Sequence, residues 1–316
     1  VQFTGPTGTN AIEAAFKIVR RATGRTSVIA FTHGFHGLSL GALAASATAF
    51  KRGASGVPLH NVTRMPYEGF LGEDVDTIDW IETMLDDPGS GIDTPAAFVL
   101  ETVQGEGGLR AASAAWLRRL VDVAHRRGIL VIVDDIQAGC GRTGPFFSFE
   151  PAGIEPDLVC LSKSISGYGL PMALVLVKPE LDRLEPGEHS GTFRGHNLAF
   201  VGATAALSLW EDPAFEPAVG RRATALEDRL LRMADRFDAA GCRTRGRGLL
   251  RGLAFSDPEL AARASRWAFE HGLLVETSGA AGEVLKVMPP IVIDEGALHE
   301  GLDLLEHAVE GACRPL

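Results

Sequence analysis

Five short apolar runs constrain the fold more than any other feature of this chain: Ser27 to Phe31, Ala96 to Leu100, Ile129 to Val133, Leu158 to Leu161 and Met172 to Val177. Between them, residues 10–23, 75–85 and 113–127 carry apolar side chains at helical spacing, with Ser113 placed to cap a helix start and Gly128 to stop its end. Short strands alternating with helices are the mark of crossover units. They predict an α/β fold with a mostly parallel sheet and helices on both faces. In such open sheets ligands gather at the carboxyl ends of the strands, where Glu101, Asp134 and Lys163 fall.

After Phe200 the texture becomes helix-rich, broken near Asp212-Pro213 and again at Gly246-Arg-Gly248. The expected division is a large domain over residues 1–208 and a smaller α+β domain over 209–316. The second should hold strands near Leu249 to Phe255 and Leu273 to Thr277, with helices from Pro258 to His271 and from Glu295 to Glu310. Two domains suit a chain of 316 residues, 46% of them hydrophobic and 22% charged.

Charge excludes some partners. A net charge of −10, with no basic cluster beyond pairs such as Arg20-Arg21, gives nothing to hold a nucleic-acid backbone. The cysteines Cys140, Cys160, Cys242 and Cys313 lack paired spacing, so neither zinc nor a disulfide framework is suggested, and a reducing cytoplasm is expected. No apolar run reaches the roughly 18 residues of a membrane span.

Lys163 follows one buried run and Asp134 ends another. Either residue alone says little, because a lysine after a strand is usually solvated and an Asp-Asp pair as often caps a helix or binds a metal. Together they suggest pyridoxal phosphate. The lysine amine can condense with the cofactor aldehyde, and a carboxylate beside the pyridine nitrogen keeps it protonated, making the ring an electron sink. Thr7-Gly8-Thr9-Asn10 precedes a helix, whose N-terminus suits a phosphate, although a plain capped helix reads the same way. Phe35, in His33-Gly-Phe-His-Gly37, could stack on a flat ring or fill a core. His33 and His36 have no third metal ligand nearby in that turn.

The ordered series Gly5-Pro-Thr-Gly-Thr-Asn10, Phe35-His36-Gly37, Glu101-Thr-Val-Gln-Gly-Glu-Gly-Gly108, Val133-Asp-Asp-Ile-Gln137, Ser162-Lys163, Gly191-Thr-Phe-Arg-Gly195 and Lys286-Val-Met-Pro-Pro290 resembles the class III, or omega, aminotransferases. The resemblance implies the fold type I architecture of pyridoxal-phosphate enzymes and transfer of an amino group between small amino-acid and aldehyde substrates. An isomerase that keeps the amino group on the same scaffold is the alternative. It implies that Gly8 and Thr9 cradle the cofactor phosphate, that Phe35 stacks on the ring with His36 beside it, and that Gln137 bonds the phenolic oxygen. Asp134 becomes the pyridine-nitrogen partner and Lys163 the covalent and proton-moving residue. Thr192 matches a threonine that reaches the cofactor phosphate of a neighbouring subunit, which implies at least a homodimer. Asp135 stands where glutamate is commoner, and Arg142 has no assigned part. Members usually carry roughly a hundred residues ahead of the Thr-Gly-Thr turn, so a further segment is expected before Val1.

Two departures concern the substrate. Leu38 stands where many members have an arginine for a distal carboxylate, and Lys286 stands where an arginine commonly precedes Pro-Pro. Lysine offers a point charge in place of a planar fork. Glu106 and Lys286 are therefore expected to form an exchangeable substrate-reading pair, against the plainer reading of an ordinary ion pair.

Overall fold

The apolar runs become strands whose two faces are both covered. The computed structural model describes residues 1–314. Its strands are β1 (Gln2–Gly5), β2 (Val28–Phe31), β3 (Val62–Met65), β4 (Ala97–Leu100), a short hairpin of β5 (Val103–Gln104) and β6 (Arg110–Ala111), then β7 (Leu130–Asp134), β8 (Leu158–Leu161) and β9 (Ala173–Val177). The helices among them are α1 (Gly8–Thr23), α2 (Leu40–Ala45), α3 (Ala49–Gly53), α4 (Thr77–Asp86) and α5 (Ala114–Arg126), with α6 (Asn197–Ser208) after β9.

Two units make up the chain. The first comprises Val1–Thr102, Ala112–Cys140 and Phe149–Leu209. Its seven-stranded sheet has the order β1-β9-β8-β7-β4-β2-β3. From β8 to β3 every pairing is parallel, and only β9 runs against its neighbours β8 and β1. The alternation of side chains explains the continuous apolar runs. Val28 and Ala30 join one core layer with Phe16, Val99 and Ile132, while Ile29 and Phe31 join the other with Phe98, Trp116, Val131 and Val133. Each large side chain buried there contributes on the order of 1.5–3 kcal/mol. The caps read from sequence are present: Ser113 Oγ accepts from Trp116 N at 3.1 Å, and Gly128 has the left-handed φ of 62°. Sequence reasoning misses β1 and β3 because they are edge strands, only partly buried, without the apolar run that marks a covered strand.

The second unit holds α7 (Phe215–Arg236), β10 (Arg243–Arg247), β11 (Leu250–Ala254), α8 (Pro258–Glu270), β12 (Glu276–Ser278), β13 (Val284–Val287) and α9 (Glu295–Cys313). Its sheet, β10-β11-β13-β12, is antiparallel throughout. A single division after residue 208 does not describe the chain, since 103–111 and 141–148 also belong to this unit. Backbone bonding is the reason: Leu249 N donates to Arg142 O at 2.9 Å and Gly279 N to Glu106 O at 3.1 Å. The expected strand at 273–277 lies at Glu276–Ser278. Charged β10, reading Arg-Thr-Arg-Gly-Arg, and β13 were not expected.

Candidate active site

Parallel pairing brings the strand ends of the first unit to one edge of its sheet. Asp134 closes β7 and pairs with Cys160 of β8, and Lys163 lies three residues beyond. Lys163 is exposed and begins a short helical turn with φ of 53°, a left-handed conformation that side chains other than glycine adopt only at some cost. Helix α6 packs directly on that turn. A Cβ at Gly202 would lie 2.9 Å from Ser166 O, and one at Gly167 would lie 3.1 Å from Ala206 Cβ, so glycine is required at both sides of the approach.

Three buried titratable groups lie at the same edge. Asp134 Oδ2 is 2.8 Å from His36 Nδ1, and its Oδ1 accepts from Ile136 N at 3.2 Å. Glu101, one residue past β4, accepts from Phe35 N at 2.9 Å. Burial pushes the Glu101 carboxyl up to about 7; the charge of Asp134 adds to this, while His36 and Lys163 oppose it. The His36 imidazole is also raised: burial works against its charge but is outweighed by the hydrogen bond and field of Asp134, with help from Glu101. His36, expected beside a stacked ring, is thus hydrogen-bonded to Asp134 with its side chain buried. Phe35 is half-buried, and Lys51 Nζ sits 4.0 Å from its ring centroid. No sequence signal marked Lys51, which is sixteen residues away on α3.

The α1 N-terminus interlocks with both neighbouring loops. Asn10 Oδ1 accepts from Thr7 N at 3.2 Å and from Thr7 Oγ1 at 2.7 Å, and the first turn contains no acidic residue. A Cβ at Gly8 would lie 2.9 Å from Ile136 Cδ1, and Thr9 Oγ1 accepts from Ser39 N at 3.2 Å. Gln137 Oε1 is buried with no hydrogen-bond partner among the described residues. An exposed amine, a buried acid, an unengaged amide end and a helix N-terminus free of acidic side chains fit pyridoxal phosphate. None of the hydrogen bonds in this cluster involves Thr192, which stands on an exposed turn.

The second unit carries its own charge cluster. Lys286 on β13 is 4% exposed, and its Nζ lies 2.9 Å from Glu106 Oε1 and 3.2 Å from Glu276 Oε2. The expected Glu106–Lys286 contact is present; Glu276 is an additional partner that the motif search overlooked. Arg142 bonds the backbone of its own unit, at Leu249 O and Pro289 O, and burial lowers its guanidinium to about 10. Leu38 is 60% exposed.

With this geometry established, the family comparison is direct: the aminotransferase class-III description matches residues 2–309. The chain belongs to the class-III aminotransferases. It is a pyridoxal-phosphate-dependent enzyme of that family. It is 58% identical to the diaminobutyrate–2-oxoglutarate transaminase of Bordetella parapertussis over 99% of the chain and 72% of that protein. The enzyme of the same name from Vibrio cholerae is 54% identical over 98% of the chain and 75% of the relative. Among solved structures, the ornithine aminotransferase of Toxoplasma gondii superposes with a TM-score of 0.85 at 26% identity, covering 97% of this chain and 72% of that one. These agree with the fold type I architecture. Among the described residues no helix is long and apolar enough to cross a membrane.

Proposed function

We propose that this chain moves the amino group of L-glutamate onto L-aspartate 4-semialdehyde, giving L-2,4-diaminobutyrate and 2-oxoglutarate, as a cytoplasmic homodimer that supplies ectoine or a related diaminobutyrate product. Identity of 50–58% over nearly the whole chain to enzymes named for diaminobutyrate and 2-oxoglutarate carries the reading. The Lys286–Glu106 pair supports it, because an ammonium held by a partly exposed carboxylate can exchange that partner for a substrate carboxylate.

Pyridoxal phosphate, when bound, supplies an aldehyde that carries the amino group and a ring that accepts an electron pair. The residues of this chain do the rest. Asp134, fixed by His36 and Ile136 N, holds the proton on the pyridine nitrogen. Lys163 Nζ binds the cofactor between turnovers and takes the proton from the amine-bearing carbon of the substrate. Gly8 and Thr9 offer backbone N–H groups to the phosphate, Phe35 covers the ring, and Gln137 bonds the phenolic oxygen. Glu101 and His36 position Asp134. Thr192 serves the neighbouring subunit, a role consistent with the exposure of Phe193, Tyr168, Leu198 and Val201.

An amino-donor and acceptor panel tests the reading. Glutamate with aspartate 4-semialdehyde should be the best pair and should depend on both components. A preference for N-acetylornithine or 4-aminobutyrate would move the chain to another omega-aminotransferase activity, and rearrangement without any acceptor would make it an aminomutase.

A further inference from the structure

Strand pairing in the second unit sets three polar groups together on one sheet face. Glu276 of β12 is the direct partner of Lys286 of β13, and directly paired residues project to the same side. Ser278 shares that side through the two-residue period of a strand. It is 5% exposed, and its hydroxyl has no hydrogen-bond partner among the described residues. One buried ammonium therefore carries two carboxylates beside an unengaged hydroxyl. The two acids are held differently. Glu106 belongs to the turn between β5 and β6, with its carbonyl accepting from Gly279 N at 3.1 Å, whereas Glu276 is fixed within β12 itself. An ammonium needs one counter-charge. A second, next to a buried hydroxyl left unsatisfied, points to a ligand end that carries both signs of charge.

We propose that Glu276 is a specificity-determining residue that reads the α-ammonium of L-2,4-diaminobutyrate and of aspartate 4-semialdehyde, while Lys286 and the Ser278 hydroxyl hold the adjacent α-carboxylate. This deepens the function proposed above and rests on it. The argument turns on which end of each substrate reacts. Diaminobutyrate gives up its γ-amine, so its far end is an ammonium and a carboxylate on one carbon, matched by an acid and a base side by side. Glutamate reacts at its α-amine and presents a lone γ-carboxylate, which Lys286 attracts and Glu276 repels. Glu106 leaves the lysine for either carboxylate. Glu276 stays in its strand and acts on the two substrates with opposite sign.

Glu276→Gln keeps the shape and removes the charge. Half-reactions of the holoenzyme with diaminobutyrate, glutamate and n-butylamine, followed by stopped-flow absorbance, should show KM for diaminobutyrate rising about tenfold and KM for glutamate falling severalfold. Butylamine should be unaffected, and Glu276→Asp should recover part of the diaminobutyrate affinity. Equal losses on all three amines would make Glu276 a strand-securing residue and overturn the proposal, as would no change on either amino acid. Failure of the underlying function is seen separately, as a wild-type enzyme that does not turn over glutamate and diaminobutyrate.

Discussion

The two charge clusters of this protein solve opposite problems. At the sheet edge of the first unit, Asp134, His36 and Glu101 are all at most 5% exposed, and both oxygens of Asp134 are engaged. In the second unit only Lys286 is buried; the side chains of its partners Glu106 and Glu276 are 32% and 71% exposed. A charge that must stay fixed through a reaction gains from burial, because the low dielectric strengthens its pairing and strongly penalises losing a partner. A charge that must release one partner and take another needs that partner near water, where leaving costs little. The first arrangement suits a permanent cofactor and the second suits alternating substrates.

The largest expected effect removes the only lysine that follows a strand end beside the buried acids. Lys163→Ala should lower transamination by more than about a thousandfold, measured as 2-oxoglutarate release. Retained turnover would move the catalytic amine elsewhere. Asp134→Asn tests the fixed cluster next. An amide cannot hold the pyridinium proton, so the cofactor should remain bound while kcat falls by about a hundredfold or more. Near-normal turnover would make Asp135 the working acid.

Lys286→Ala probes the exchangeable cluster. Loss of one charge-assisted contact should cost about 1.5–3 kcal/mol in kcat/KM for glutamate and diaminobutyrate, with little change for an uncharged alkylamine. Equal losses would reduce Lys286 to a structural ion pair and erase the contrast between the clusters.

The smallest effect is on the stability of the cofactor-free protein. Glu101 titrates at about 7 in the fold against an ordinary 4.5, and the His36 imidazole is also raised. Both groups bind protons more tightly folded than unfolded, so their contribution to stability is full below pH 4.5 and declines as pH rises toward and past 7. Denaturant melts across that window should slope downward for the wild type and less steeply for Glu101→Gln. Identical slopes would show that the buried acid is not linked to folding.

Much of the first cluster was legible in the sequence because chain-local signals report strand ends. An apolar run followed by Asp134 or Lys163 locates both residues, and parallel pairing then brings them together. The partnership of His36 with Asp134 was not legible: it joins residues 98 apart, and nothing in a glycine-rich turn shows which way an imidazole points. Glu276 and Ser278 were missed for a related reason. They occupy a three-residue strand too short to show alternation, and their meaning comes from the register against Lys286. The segments 103–111 and 141–148 likewise join the second unit through bonds to residues far along the chain.

The central claim is that the strand-end lysine beside the buried carboxylates is the amine that holds the cofactor. Borohydride reduction of the holoenzyme, followed by peptide mapping, tests it most directly. The account predicts a pyridoxyl label on Lys163 alone, lost together with the yellow absorbance in Lys163→Ala. A label on Lys51, Lys178 or Lys286 would contradict it.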